Sequence, residues 1–194
     1  MQSIINSEFS EHLKVSEDTL KAIAHKIEIA AKICIDCLKN NNKILLMGNG
    51  GSAADAQHIA AELVGRYKTE RNGLAAIALT TDTSAITAIA NDYGYKNIFS
   101  RQVEALAIKN DVLIAISTGG TSKNVINALK VSKDIGCKSI GFSGKDGGKF
   151  SDLCDVNLVV NSNNTPRIQE MHILIGHLIC HLIEMEITTP KNVE

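Results

Sequence analysis

Two short apolar runs, each ending in a turn rich in glycine and hydroxyl residues, constrain this chain more than any other feature. Ile44-Leu45-Leu46-Met47 leads into Gly48-Asn49-Gly50-Gly51-Ser52, and Val112-Leu113-Ile114-Ala115-Ile116 leads into Ser117-Thr118-Gly119-Gly120-Thr121-Ser122. Consecutive apolar residues bounded by turn formers are the pattern of a strand buried on both faces. A helical pattern follows each turn. It runs over about 53–65 after the first, with Ser52 as N-cap and Asp55 as a first-turn acid, and to about Ile135 after the second. Further strands are expected at Ala75–Leu79, Ser139–Phe142 and Val156–Val160. Helices are expected at 82–90, capped by Asp82, and at 96–108. A last helix opens at Thr165-Pro166, with Thr as N-cap and Pro in the first turn, and continues to about Glu186. Strands alternating with helices predict a single doubly wound α/β domain, its mainly parallel sheet flanked by helices. Residues 8–39 carry apolar positions at helical spacing (Leu20, Ile23, Ala24, Ile27, Ala30, Ala31, Cys34, Leu38) and end at Asn40-Asn41-Asn42. The expected organisation is therefore an N-terminal helical segment over 1–40, as one long helix or a broken pair, in the same unit as an α/β domain over 41–194.

Composition excludes several partners. With 20 basic and 21 acidic residues the formal net charge is -1, so no basic excess points to nucleic acid or an anionic membrane. Tryptophan is absent and aromatics are only 4%, too few for base-stacking platforms. The N-terminus lacks the basic start and apolar run of a signal peptide, and no apolar stretch reads as long enough to span a bilayer. The five cysteines, 34, 37, 137, 154 and 180, are an odd count and read as reduced core thiols of a cytoplasmic protein. Cys34 and Cys37 form a CxxC inside a helical pattern with no second pair, which disfavours zinc or redox use.

The two turns come first as candidate chemistry. Glycines let backbone N–H groups approach an anion, and the helix that follows turns its positive dipole end to the same point. Ser117, Thr118, Thr121 and Ser122 add hydroxyl donors. In a parallel sheet, ligands bind outside the carboxyl ends of the strands, where both turns are expected. The sequence matches neither a Walker A loop nor the G-x-G-x-x-G dinucleotide pattern. His58 and Glu62 lie four apart, on one face of a helix. That pair suits a surface ion pair, a shared metal, or a catalytic base. The last helix is apolar nearly all round, as a helix buried between subunits would be. Its polar residues Gln169, Glu170, His172, His177 and His181 must then find partners. Gln169 and His177 share a broad face, and Gly176 permits close packing beside His177. Asn91-Asp92-Tyr93-Gly94 reads as a turn in which Asp92 can meet sugar hydroxyls.

Taken together, Gly48-Asn49-Gly50-Gly51-Ser52, His58-x-x-x-Glu62, Asn91-Asp92, Ser117-Thr118-Gly-Gly-x-Ser122 and Arg167-Ile168-Gln169-Glu170-Met171-His172 through His177 resemble the bacterial phosphoheptose isomerases. That is the sedoheptulose 7-phosphate isomerase family of the sugar isomerase (SIS) fold, which is flavodoxin-like. The resemblance covers essentially the whole chain. It implies conversion of sedoheptulose 7-phosphate to D-glycero-D-manno-heptose 7-phosphate through an enediol, the first step towards the activated heptoses of lipopolysaccharide, capsule or S-layer. It implies Glu62 and His177 as catalytic residues, and substrate contacts at Asn49, Gly50, Gly51, Ser52, Glu62, Asn91, Asp92, Ser117, Thr118, Gly119, Ser122 and Gln169. It also implies one zinc per subunit on His58, Glu62, Gln169 and His177, in a homotetramer with sites at subunit interfaces. One position departs from the pattern. The family's usual loop reads Ser-Thr-Ser-Gly-Asn-Ser, whereas this chain has Gly119 in place of the third hydroxyl. Two alternatives share the fold: a non-catalytic adaptor for the replication initiator DnaA, and an isomerase for another sugar phosphate. The adaptors lack the carboxylate and the histidine that Glu62 and His177 supply here.

Overall fold

A computed structural model of the chain describes residues 1–188, so the last six residues of the 41–194 segment lie outside the described part. The buried runs form strands as expected: β1 (Ile44–Gly48), β2 (Ala76–Ala78), β3 (Val112–Ile116), β4 (Lys138–Gly144) and β5 (Val156–Val160). They make one parallel sheet in the order β2-β1-β3-β4-β5. Alternate residues of one strand feed opposite cores. Ile44 and Leu46 of β1 join Ile114 and Phe142 on one face, while Leu45 and Met47 join Leu113 and Phe99 on the other. This is why both faces of each central strand had to be apolar.

Helices α1 (Gln2–Lys39), α2 (Gly51–Val64) and α7 (Thr165–Thr188) cover the first face. The second is covered by α3 (Thr83–Tyr93), α4 (Ser100–Leu106) and α5 (Lys123–Ile135), with Phe150 of the short α6 (Phe150–Leu153). α1 is one unbroken helix of 38 residues. Its C-terminal half is core. Its N-terminal end is tied to α7 by Arg167, which donates to the Glu8 carbonyl at 2.7 Å and pairs with Glu170 at 2.5 Å.

Local differences from the sequence reading have simple causes. α2 begins at Gly51, so Ser52 is not a cap but a buried first-turn residue whose amide donates to the Asn49 carbonyl at 3.0 Å. Asp82 does cap α3, accepting from Ala85 N at 2.9 Å. That helix runs on through Asn91 and Asp92 to end at Gly94, so the two residues are helical rather than a turn. The segment 96–108 splits into a 3₁₀ turn at Tyr95–Asn97 and α4. Asn164, not Thr165, stands before the last helix, its carbonyl accepting from Ile168 N at 3.0 Å. α7 is, by length and composition alone, the one described helix able to cross a bilayer, against the expectation that no apolar stretch is long enough. In this fold it packs on α1 and α2 and buries His172 and Glu184 with polar partners, as a core helix does.

The five thiols are free. Cys34, Cys37 and Cys180 are buried and Cys137 and Cys154 half-buried, so the core reading holds for three of them. Burial pushes the Cys180 thiol up to about 12.

Candidate active site

The strand order 2-1-3-4-5 reverses direction between β1 and β3, and ligands of such sheets bind at that switch point. Both glycine turns lie there. In the first, Gly50 takes φ +56°, a left-handed value that favours glycine. Gly51 then opens α2 with no side-chain cap, leaving the amides of Gly50 and Gly51 without an acceptor among the described residues. The amide of Gln169, from α7, packs directly over Gly51, in the space a Cβ would fill.

In the second turn, the amides of Thr118, Gly119, Thr121 and Ser122 likewise have no acceptor among the described residues. The hydroxyls of Ser117 and Ser122 lie 3.1 Å apart. The loop 145–148, to which the sequence assigned no chemistry, backs this turn. A Cβ on Gly120 would strike the Gly147 carbonyl and one on Gly148 the carbonyls of Gly119 and Gly120, and Lys149 N donates to the Gly120 carbonyl at 3.0 Å.

A residue the sequence reading passed over joins the two halves. Buried Asn124, in the first turn of α5, exchanges two hydrogen bonds with Asn49. Asn49 Nδ2 donates at 3.0 Å and Asn124 Nδ2 donates back at 2.8 Å. The orientation is fixed because Asn124 Oδ1 also accepts from Val125 N, which can only donate. Tyr95 Oη, donating to Asn49 Oδ1 at 2.9 Å, ties in the segment after α3. Asn91 and Asp92, in the last turn of α3, are exposed and bonded to each other at 2.8 Å.

Farther along α2, His58 and Glu62 meet His177 of α7. His58 Nε2 is 3.0 Å from His177 Nε2 and 3.3 Å from Glu62 Oε1, and one ligand atom from each of the three residues falls within 4.8 Å. Spacing alone pairs His58 with Glu62 but does not reach His177, which only the family resemblance places beside them. The fold brings it in because Gly176, beside His177, lets α7 close onto Ile59, beside His58. Tyr67 stacks on the His177 ring at 5.5 Å. Gln169 is not part of this close group; it sits at the Gly51 end of α2. Two imidazole nitrogens and a carboxylate oxygen converging from different helices form a donor set that fits a zinc ion. Tetrahedral sites with bonds of about 2.0–2.1 Å place ligand atoms about 3.3 Å apart.

The surroundings set protonation. His172 is fully buried, its Nε2 3.0 Å from the Ser143 carbonyl, and burial drives it down to about 4, so it is a neutral core histidine. Burial pushes the Asp55 carboxyl up; one of its oxygens is buried without a partner. Glu184 is the reverse. Burial opposes its charge, but the amides of Lys68, Thr69 and Tyr67 and the Arg71 guanidinium outweigh it and hold the carboxyl below its usual range. Glu184 interrupts the apolar stretch of α7 after Ile183, a signal visible in the sequence. Arg71, in the polar run after α2, gave none.

A parallel sheet with paired glycine turns at its switch point defines the class. The SIS domain family matches residues 9–144, so this is a SIS-domain protein. The phosphoheptose isomerase of Aliarcobacter butzleri is 63% identical over 97% of this chain and 100% of its own length. Among solved structures, the phosphoheptose isomerase of Neisseria gonorrhoeae superposes with a TM-score of 0.90 at 46% identity, covering 94% of this chain and 98% of that one. The enzyme from Francisella tularensis does so at 0.92 and 38%, covering 95% and 98%. The chain belongs to the phosphoheptose isomerase family.

Proposed function

We infer that this protein isomerises sedoheptulose 7-phosphate to D-glycero-D-manno-heptose 7-phosphate, and that the product feeds activated-heptose synthesis in the cytoplasm. The observation that carries the reading is the pairing, along α2, of an anion cradle at one end with a His–Glu–His group toward the other. Gly51 and His58 are seven residues apart, about 10 Å of helix. That span suits a sugar chain with its phosphate on the glycines and its carbonyl end near the carboxylate. An adaptor would have no use for such a group.

In the cradle, the free amides of both turns and the hydroxyls of Ser117, Thr118 and Ser122 receive the phosphate oxygens. Ser52 lies beneath them, while Asn49, Asn91, Asp92 and Gln169 supply polar groups for the sugar hydroxyls. Glu62 takes a proton from C1 of the open-chain ketose. The C1–H electron pair becomes the C1–C2 double bond, and the carbonyl π pair moves to O2, giving the enediol. His177 donates at O2 and accepts from O1, and the same group assists ring opening. Glu62 then returns its proton to C2, leaving the aldehyde at C1. His58, Glu62 and His177 would hold a zinc ion, which when bound would polarise the carbonyl oxygen; Gln169, the fourth ligand that the resemblance implies, lies at the Gly51 end of α2.

The exposed leucines Leu174, Leu178 and Leu182 form a stripe on α7, and Phe9 and Leu13 are exposed on α1. These apolar faces support a homotetramer in which the helical segment 1–40 and the domain from 41 onward act as one unit.

The test is Glu62→Gln with sedoheptulose 7-phosphate, followed by NMR of the sugar. Loss of a general base lowers kcat by about 10²–10⁴-fold with the fold intact. Near-normal turnover would remove Glu62 from the chemistry.

A further inference from the structure

His58 and Glu62 sit on α2, His177 on α7, and Tyr67 on the loop between α2 and β2. Their geometry therefore depends on the register of three separate segments. The Gly176–Ile59 contact fixes that register near the histidines. A second device lies at the C-terminal end of α2 and joins all three. Arg71 Nη2 donates to the Glu62 carbonyl at 2.8 Å, and Nη1 to the carbonyls of Leu63 at 2.9 Å and Asn72 at 3.0 Å. Its Nε stands 3.2 Å from Glu184 Oε1, an ion pair off the line of a hydrogen bond. Glu184, on α7, accepts from Tyr67 N at 3.2 Å through Oε1, and from Lys68 N at 2.8 Å and Thr69 N at 2.9 Å through Oε2. The side chains are only 5% and 2% exposed, so both charges are committed to each other and to the main chain.

We propose that the Arg71–Glu184 pair is the positioning device of the candidate active site, holding Glu62 and Tyr67 in register with His177. The proposal rests on the isomerase reading above and adds two residues to it. The chemistry of the pair is specific. Each Glu184 oxygen faces two donors, so only a carboxylate satisfies all four; a glutamine would turn its own N–H groups against one pair. Arg71 reaches several carbonyls and a carboxylate at once, which the planar guanidinium can do and an ammonium cannot. A buried ion pair is weak as a source of stability, because desolvation offsets its attraction. What this pair supplies is geometry: it is bonded to the main chain of Glu62 itself and to the backbone of Tyr67, which stacks on His177.

The experiment compares Glu184→Gln and Arg71→Lys with the wild type, and with Asp111→Asn as a control. Asp111 is a buried carboxylate below the N-terminal ends of β1 and β3. It accepts from Lys43 and Ile108 and has no part in the site. A misplacement of about 1 Å at a reacting group costs up to about a hundredfold. Both clasp variants should therefore lose at least about tenfold in kcat, at temperatures where circular dichroism shows them folded. KM should change less than about threefold, because the glycine cradle is untouched. Long-range ¹H–¹⁵N spectra of the free protein should show the ring signals of His58 and His177 displaced and that of His25 on α1 unmoved. Asp111→Asn should lower the melting temperature and change neither readout. Should Glu184→Gln fail to fold, Arg71→Lys and Glu184→Asp carry the same test. Wild-type kcat with unmoved His58 and His177 signals in folded clasp variants would overturn the proposal. A wild type that does not isomerise would instead refute the isomerase reading, and the ring signals would still judge the clasp.

Discussion

Adjacent glycines in the second turn invite opposite predictions, and Gly119 is the more informative. Its backbone is outside the left-handed region, and a Cβ there would meet only Thr121 Oγ1, at 3.6 Å, an ordinary contact. Gly119→Ser should therefore leave the fold unchanged while adding a third hydroxyl beside Ser117 and Thr118. A hydrogen bond to a charged group contributes about 1.5–3 kcal/mol, and about 1.4 kcal/mol is tenfold in affinity. The position is half-buried, so water competes and the lower end applies. We expect KM for sedoheptulose 7-phosphate and the inhibition constant of inorganic phosphate to fall together by about tenfold. The new bond is present in ground and transition states alike, so kcat should stay within about twofold. Gly120→Ala is the companion. Gly120 has φ +60° and its Cβ would run into the Gly147 carbonyl, so the turn must deform. A left-handed L-residue alone costs about 1–2 kcal/mol, which lowers the melting temperature of a domain this size by about 2–8 °C, and KM should rise. A folded Gly119→Ser protein with unchanged KM and unchanged phosphate inhibition would show that the anion does not sit on Ser117–Ser122.

Two further outcomes follow from charge and from surface. Glu184, Asp111 and Asp155 all have carboxyls below their usual range, because hydrogen-bond donors and cations outweigh the burial that opposes their charge. Their stabilisation is present above the unfolded-state value of about 4 and is lost as pH falls through the lower folded-state values. Melting temperature should thus be flat in these groups from neutral pH down to about 5 and drop steeply below about 4; a curve still flat at pH 3 would contradict the assignment. Leu178 and Leu182 are 40% and 37% exposed on one stripe of α7. The double change of both to Glu should convert an oligomer to a smaller species by light scattering, and a wild type that is already monomeric would defeat the tetramer reading.

What the sequence discloses depends on the range of the interactions involved. β1 and β3 are legible because a strand covered on both faces must be apolar at every position, and the turns after them because glycine and hydroxyl residues act locally. Asp82 is legible as a cap for the same reason. Ser52 misled because a small hydroxyl residue before a helix usually caps it, whereas here Gly50 takes the cap position, Gly51 enters the helix first and Ser52 is turned under Gly48. β2 is only three residues at a sheet edge, and its boundaries blur accordingly. Asn124 looks like any polar residue at a helix start until its partner across the sheet is known. His58 and Glu62 can be paired from a spacing of four, but His177 joins them only through the crossing of α2 and α7.

The same division should govern how the site responds to change. The cradle is held by backbone conformation within each turn, by one amide pair between the turns, and by the glycine loop behind. On the proposed reading, perturbing it should alter how tightly a phosphate is held and leave the reacting end of the sugar in place. The His–Glu–His group has no local support of that kind, since each member is carried by a helix whose register is set elsewhere, at Gly176 and at Arg71–Glu184. Perturbing those contacts should then move the proposed base relative to the carbon it must reach while the phosphate stays anchored. Changes in the turns should therefore appear in KM and changes at the helix crossing in kcat. On the proposed reading Gly119 belongs to the first class, so Gly119→Ser should move KM and leave kcat in place.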